Sequence, residues 1–244
     1  MARFYQKYTL KRLTTPRAQM GRVARVRPVK KMIAILFDLD GTLLESVRFD
    51  SEFYISAVKD ILGHVHIHND WGVYRKVTNQ GILDQIMDEN GIRDSKKAGL
   101  VKLRFGELIN QYFDNGHKFQ PKKGAVEFIS TLFADGHVET GVATGDWANT
   151  ARLKLQHAGF NISNFPIFSC DDSSDRTIIM KKCVDSLSGP FEKIVYFGDG
   201  EWDLSASKAL GWQFIGVGER LKNKCREWIN DFSEPDSISK FIEE

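Results

Sequence analysis

An α/β fold is what this 244-residue sequence predicts: a parallel sheet core interrupted by a mostly helical insert. Three observations carry that expectation. A continuous apolar run over residues 32–37 stops abruptly at Asp38, and such a run, ended by polar and glycine residues, is a strand buried on both faces. Four more short apolar runs occur at 138–143, 166–169, 194–197 and 214–217, with stretches of helical character between them. Strands alternating with helices imply parallel pairing through right-handed crossovers. Between Val47 and Gln120 the alternation stops. That stretch is polar, carries apolar residues at helical spacing (Phe53, Val58, Ile61, Leu62, then Ile82, Leu83, Ile86), and holds no convincing buried strand.

Taken in order, the chain opens on an unusual leader. Residues 1–31 hold ten Lys or Arg and no Asp or Glu, which leaves 24 basic against 32 acidic residues, a net charge of −8, for 32–244. The leader has no apolar block of secretory type and no serine. Three readings stand open for it: a flexible basic tail, a transit-like segment, or sequence upstream of a start at Met32. A basic tail binds any polyanion in a salt-dependent way, which is a poor argument for a nucleic-acid function. After the leader, residues 32–46 and 121–244 form the expected core, and 47–120 the helical insert. Core helices are expected near 122–134, 147–158, 175–187 and 202–210, the third with Asp172 and Asp175 as N-terminal caps.

Composition narrows the class. With 42% hydrophobic and 27% charged residues the chain can bury a sizeable core, and collagen-like, disulfide-rich and disordered classes are excluded. No apolar run approaches the roughly 18 residues of a membrane helix. Cys170, Cys183 and Cys225 form no C-x-x-C and read as reduced thiols, mostly buried, in a cytoplasmic setting.

Ligands of doubly wound sheets bind beyond the carboxyl ends of the strands. The residues just past each strand are therefore informative. Asp38-Leu39-Asp40-Gly41-Thr42 lies after the first, Thr144-Gly145-Asp146 after the second, and Gly198-Asp199-Gly200-Glu201-Trp202-Asp203 after the fourth. Crowded carboxylates repel one another unless a hard cation sits among them, and oxygen donors beside a phosphate suit Mg²⁺. One carboxylate can attack phosphorus, and another two residues along, on the same side of an extended chain, can protonate the leaving oxygen and later activate water. Gly41 permits a tight turn that aims amide hydrogens at a phosphate, and the Thr144 hydroxyl and Gly145 amide can hold another phosphoryl oxygen.

These three segments resemble signature motifs of the haloacid dehalogenase-like (HAD) hydrolase superfamily. Asp38-Leu39-Asp40-Gly41-Thr42-Leu43 looks like its first motif, Val142-Ala143-Thr144-Gly145 its second, and Gly198-Asp199 with Asp203 its fourth, acidic one. The resemblance spans about residues 32–220 and implies a Rossmann-like core with a helical cap over 47–120. It implies Asp38 as nucleophile and metal ligand, and Asp40 as general acid/base whose backbone carbonyl also binds metal. Asp199 is then a metal ligand, Asp203 a support behind it, and Gly41, Thr42, Thr144 and Gly145 hold phosphate. An acid at Asp40 favours phosphate esters over halides. The third motif departs from the family, which places a lysine before the fourth. Arg176 stands at the family spacing, with Lys181 as the fallback. The segment Thr144-Gly145-Asp146-Trp147 through Lys154-Leu155, then Gly159-Phe160, followed by Asp171-Asp172 and Arg176, resembles more loosely the phosphoglycolate-phosphatase-like members.

The expected function is a Mg²⁺-dependent phosphatase of a small phosphorylated metabolite, working through an aspartyl-phosphate. Alternatives are a weakly catalytic binding protein using the basic leader, a phosphomutase, or a phosphonate hydrolase with Lys59 as Schiff-base lysine. His64, His66 and His68 alternate and are read as a polar loop before a metal site. Trp71, Tyr74 and Arg75 are read as packing residues before substrate contacts; Trp147 is open between pocket wall and core.

Overall fold

The computed structural model describes residues 32–164 and 166–243; the basic leader lies outside the described residues. The chain runs β1 (Ile33–Phe37), α1 (Val47–Leu62), α2 (Asn79–Glu89), α3 (Ser95–Asp114), α4 (Ala125–Ala134), β2 (Val138–Ala143), α5 (Ala148–His157), β3 (Ile167–Phe168), α6 (Arg176–Asp185), β4 (Lys193–Gly198), α7 (Glu201–Leu210), β5 (Gln213–Val217), β6 (Glu227–Ile229) and α8 (Pro235–Glu243). The six strands form one sheet of order β3-β2-β1-β4-β5-β6, parallel throughout. The chain leaves β1 towards β2 on one side and returns to β4 on the other, so the strand order reverses beside β1. That switch point is where such sheets open a crevice. Among the described residues no helix is long and apolar enough to cross a membrane.

β1 is buried because both its faces are covered. The Phe37 ring stacks on Phe197 at 5.1 Å and meets Phe128 edge-on at 6.4 Å and Phe232 at 6.1 Å. Phe232 belongs to the segment joining β6 to α8, two elements that the sequence pattern does not reveal. The same segment explains Gly124, which stands before α4 at φ +76°, where an added Cβ would lie 2.4 Å from the Phe232 carbonyl oxygen. The obstacle is backbone, so nothing yields by rotamer change. Gly124→Ala is expected to cost about 2–4 kcal/mol, read as a lower melting temperature beside the wild-type chain.

The insert leaves and rejoins the core through a short ribbon. Leu44 pairs antiparallel with Pro121, the Glu45 amide donates to the Gln120 carbonyl at 2.9 Å, and the Lys122 amide to the Leu43 carbonyl at 2.8 Å. Within the insert α1 packs on α3, and α3 also meets α5 of the core. Trp147 is core rather than pocket wall: it is buried, stacks on Tyr54 at 5.9 Å and meets Phe105 at 5.5 Å. His66 and His68 touch ring to ring, and His68 Nε2 lies 3.0 Å from Glu89, a loop contact away from the crevice. Cys170, Cys183 and Cys225 are free thiols, the first two buried.

Candidate active site

The crevice starts where β1 ends. The Asp38 amide still donates to the Phe197 carbonyl at 2.9 Å, which carries the β1–β4 pairing one residue further and points Asp38 beyond the sheet. The chain then folds back: the amides of Leu43 and Leu44 both donate to the Leu39 carbonyl, at 2.9 and 3.0 Å. Gly41 makes that turn at φ +87°, where a Cβ would sit 2.3 Å from Asp199 Oδ2. Only glycine lets this loop approach Asp199 so closely.

Asp199 and Asp203 arrive from the end of β4 and the first turn of α7. Carboxylate oxygens of Asp38, Asp199 and Asp203 all lie within 4.8 Å of one another. Burial is the main cause that raises all three. Asp38 is pushed up to about 7, further by the neighbouring Asp203 and Asp40, against the pull of Arg176. Asp199 is pushed up to about 7, with Asp38 adding to the effect, and Asp203 to about 6, with Arg176 working against it.

Arg176 is the cation brought to Asp38 and Asp203. Asp175 caps α6 by accepting the Thr177 amide at 3.0 Å, which places Arg176 on the first turn. Its Nη1 lies 3.0 Å from Asp38 Oδ1 and 2.9 Å from Asp203 Oδ1, while Nη2 donates to the Val77 carbonyl of the insert at 3.1 Å. Asp203 Oδ2 in turn accepts the Gly200 amide at 3.1 Å. Lys181, the fallback, is exposed. Five residues further along α6 it is rotated by about 140° from Arg176, at roughly 100° per residue, and cannot reach the crevice. Asp172 does not cap α6; its carboxylate accepts the Ser169 amide at 2.9 Å.

β2 delivers the third segment. The Thr144 amide donates to the Phe168 carbonyl at 3.0 Å, and the Asp146 amide to Thr144 Oγ1 at 3.1 Å. A Cβ on Gly145 would lie 2.6 Å from Arg176 Nη2, so this loop and Arg176 pack closely. The insert meets the loop directly: the Asn79 amide donates to the Gly145 carbonyl at 2.8 Å and Asn79 Nδ2 to Asp146 Oδ1 at 2.9 Å.

A second charged group centres on Lys154, to which the sequence assigns no role. Lys154 on α5 is fully buried, and its Nζ lies 3.0 and 3.1 Å from the two oxygens of Asp40 and 3.0 Å from Asp146 Oδ2. It also pairs with Asp50 of α1. Burial acts to lower its pKa, but the three carboxylates outweigh that and hold the ammonium charged. Asp50 is shifted up by its burial and by Asp40. A signal for Lys154 did exist: it falls within the buried stripe Ala151, Leu155, Ala158 at helical spacing, where a solvated lysine has no place.

Asp38, Asp40, Thr144, Gly145, Arg176 and Asp199 line one cleft. Gly41 and Thr42, expected at the phosphate, do not line it. Thr42 is fully buried with its Oγ1 unpartnered among the described residues, because the fold-back onto Leu39 turns it into the packed loop. Trp71 packs against Tyr54 and Tyr74, and it also lines the cleft with Trp202 and Arg220; beyond them a wider groove takes in Tyr74, Arg75 and Lys76. Arg220 lies 3.3 Å from Asp199 and over the Trp202 ring. Lys59 is exposed and does not line the cleft, so no lysine of α1 is placed for a Schiff base there.

Fold and cleft together define a class: a doubly wound α/β enzyme with carboxylates gathered at the strand ends. The model of the haloacid dehalogenase-like hydrolase family matches residues 32–211, and the chain belongs to that family. Among solved structures it is similar to a hydrolase from Pseudomonas syringae (TM-score 0.68, 19% identity, covering 86% of this chain and 99% of that one). It is also similar to a β-phosphoglucomutase from Clostridium difficile (TM-score 0.67, 13% identity, 87% and 100% covered). A third likeness is to a predicted phosphoglycolate phosphatase from Haemophilus somnus (TM-score 0.53, 18% identity, 86% and 97% covered). No curated protein matches the sequence.

Proposed function

We propose that this hydrolase is a Mg²⁺-dependent phosphatase that cleaves a small phosphomonoester through an aspartyl-phosphate on Asp38. The observation that carries the reading is the meeting of Asp38, Asp199 and Asp203 within 4.8 Å, with Arg176 on Asp38 and Asp40 facing the same cleft. The phosphatase and phosphomutase among its structural relatives agree with a phosphorylated substrate.

A divalent cation fits these residues. Asp38 and Asp199, buried together and pushed up to about 7, repel each other and offer hard oxygen donors. Asp38, Asp199 and the Asp40 backbone carbonyl would hold the ion, and once bound it offsets charge on the phosphoryl oxygens. Asp38 Oδ attacks phosphorus as the bond to the leaving oxygen breaks, and Asp40 gives that oxygen its proton. Water then attacks the aspartyl-phosphate, Asp40 takes a proton from it, and phosphate leaves with Asp38 restored. Arg176, Thr144 and Gly145 hold phosphoryl oxygens, while Asp203 fixes Arg176 from behind. Residues 47–120 act as the cap over the cleft, and Trp71, Trp202 and Arg220 face the rest of the substrate. A reducing, cytoplasmic setting suits the three free thiols.

Phosphate release from p-nitrophenyl phosphate is expected with Mg²⁺ and is expected to vanish with excess EDTA; metal-independent release would overturn the reading. The raised carboxyls add a pH dependence. The folded chain keeps protons on Asp38 and Asp199 up to about 7, whereas the unfolded chain releases them near 3.8. The metal-free fold therefore loses stability as pH rises between those values. Mg²⁺ is expected to raise the melting temperature more at pH 8 than at pH 5, checked by thermal melts with and without the ion.

A further inference from the structure

Lys154 stands outside the machinery just described, yet it is built into it. Burying an ammonium is costly, and an apolar residue would suit the stripe of Ala151, Leu155 and Ala158. A lysine serving only as a structural ion pair needs one partner; this one has three, from the loop after β1, from α1 and from the loop after β2. Those partners are unequal. Asp146 Oδ1 already accepts from Asn79 Nδ2 at 2.9 Å, the Trp147 amide at 2.6 Å and Thr150 Oγ1 at 2.8 Å, so its side chain is locked. Phe105 and Phe119 wall the ammonium at 5.5 and 5.8 Å. Asp40 is the partner most open to the cleft, with its side chain 18% exposed. Its Oδ1 is shared between Lys154 and Ser46 Oγ at 2.5 Å, and among the described residues its Oδ2 meets Lys154 alone.

We propose that Lys154 is a positioning residue: its ammonium, anchored by Asp146 and Asp50, fixes the Asp40 carboxyl where it meets the leaving oxygen. The assignment rests on the reading of Asp40 as the acid/base of a phosphatase. It makes α5 and α1 joint supports of that acid, since Asp50 comes from the insert and Lys154 from the core.

An acid matters only when the leaving group is poor. The test therefore compares kcat/KM for propyl phosphate with that for 2,4-dinitrophenyl phosphate, with Mg²⁺, for the wild-type chain, Lys154→Met and Asp40→Asn. Lys154→Met is expected to lose about 10²-fold on propyl phosphate, the loss a misplaced catalytic group causes, and to stay within about 3-fold on the dinitrophenyl ester, which needs no acid. Asp40→Asn is expected to show the same selectivity more strongly. Lys154→Met leaves three carboxylates without their cation, so Lys154→Met/Asp50→Asn, which restores the net charge of the group, is measured beside it. An equal loss on both esters, no loss on either, or failure of both variants to fold overturns the positioning role. If Asp40→Asn is itself unselective, or the wild-type chain cleaves neither ester, the acid reading falls and this assignment falls with it; a selective Asp40→Asn beside an unselective Lys154→Met overturns this assignment alone.

Discussion

Asp38→Asn is expected to leave a folded protein that releases no phosphate above background, a loss on the order of 10⁴-fold or more in kcat. The amide has nearly the shape of the carboxylate and can still meet Arg176, so packing survives. It has no anionic oxygen to attack phosphorus and is a poorer metal donor. Two measurements separate these losses. Rapid acid quench with labelled substrate should trap phosphoprotein in the wild-type chain and none in the variant, which reads the nucleophile. The Mg²⁺-induced rise in melting temperature reads the metal site, and it should shrink in the variant because a neutral amide oxygen replaces one of the two carboxylate ligands. Trapped phosphoprotein in Asp38→Asn would place the attacking group elsewhere.

Arg176→Leu is expected to damage both stability and rate. The guanidinium bridges Asp38 and Asp203 and reaches the Val77 carbonyl. Removing it leaves buried carboxylates without their cation, a loss of about 3–5 kcal/mol. It also removes a donor aimed at the phosphoryl group, about 10²–10³-fold in kcat. Arg176→Lys should recover only part of each, because a single ammonium cannot reproduce the planar fork that spans two carboxylates and a carbonyl. Exposed Lys181 is the control, and Lys181→Leu should leave activity and melting temperature close to wild type. Denaturant unfolding gives the first quantity, and steady-state kinetics with saturating Mg²⁺ the second. Loss in Lys181→Leu with none in Arg176→Leu would reverse the assignment.

The parts of this molecule that could be read in its sequence are those encoded locally. β1, β4 and β5 are apolar runs with abrupt polar ends, and burial on both faces requires that pattern, whereas β2 carries Glu139 and Thr140 and is fully apolar only at its buried end. Asp38, Asp199 and Thr144 were legible because each lies just past such a run. Arg176 followed only from the family resemblance, because it stands before Asp199 at the spacing of the family lysine. β6 and α8 were not legible: three residues, Glu227–Ile229, make an edge strand too short to show alternation. Lys154 was visible as a basic residue in an apolar stripe, but its meaning was not. Its partners Asp50 and Asp40 lie 104 and 114 positions away, and only the closed fold unites them. Thr42 shows the opposite failure. It belongs to the motif by sequence, yet the turn that makes the motif work buries its hydroxyl away from the cleft.

The short ribbon of residues 43–45 and 120–122 means that everything between begins and ends at one point on the rim of the sheet. The entropy of closing such an excursion grows only with the logarithm of its length. Lengthening the insert at its exposed turns, residues 63–64 and Gly91, should therefore change the global folding equilibrium little. Chain can be added at those turns while β1 and β4 keep their pairing.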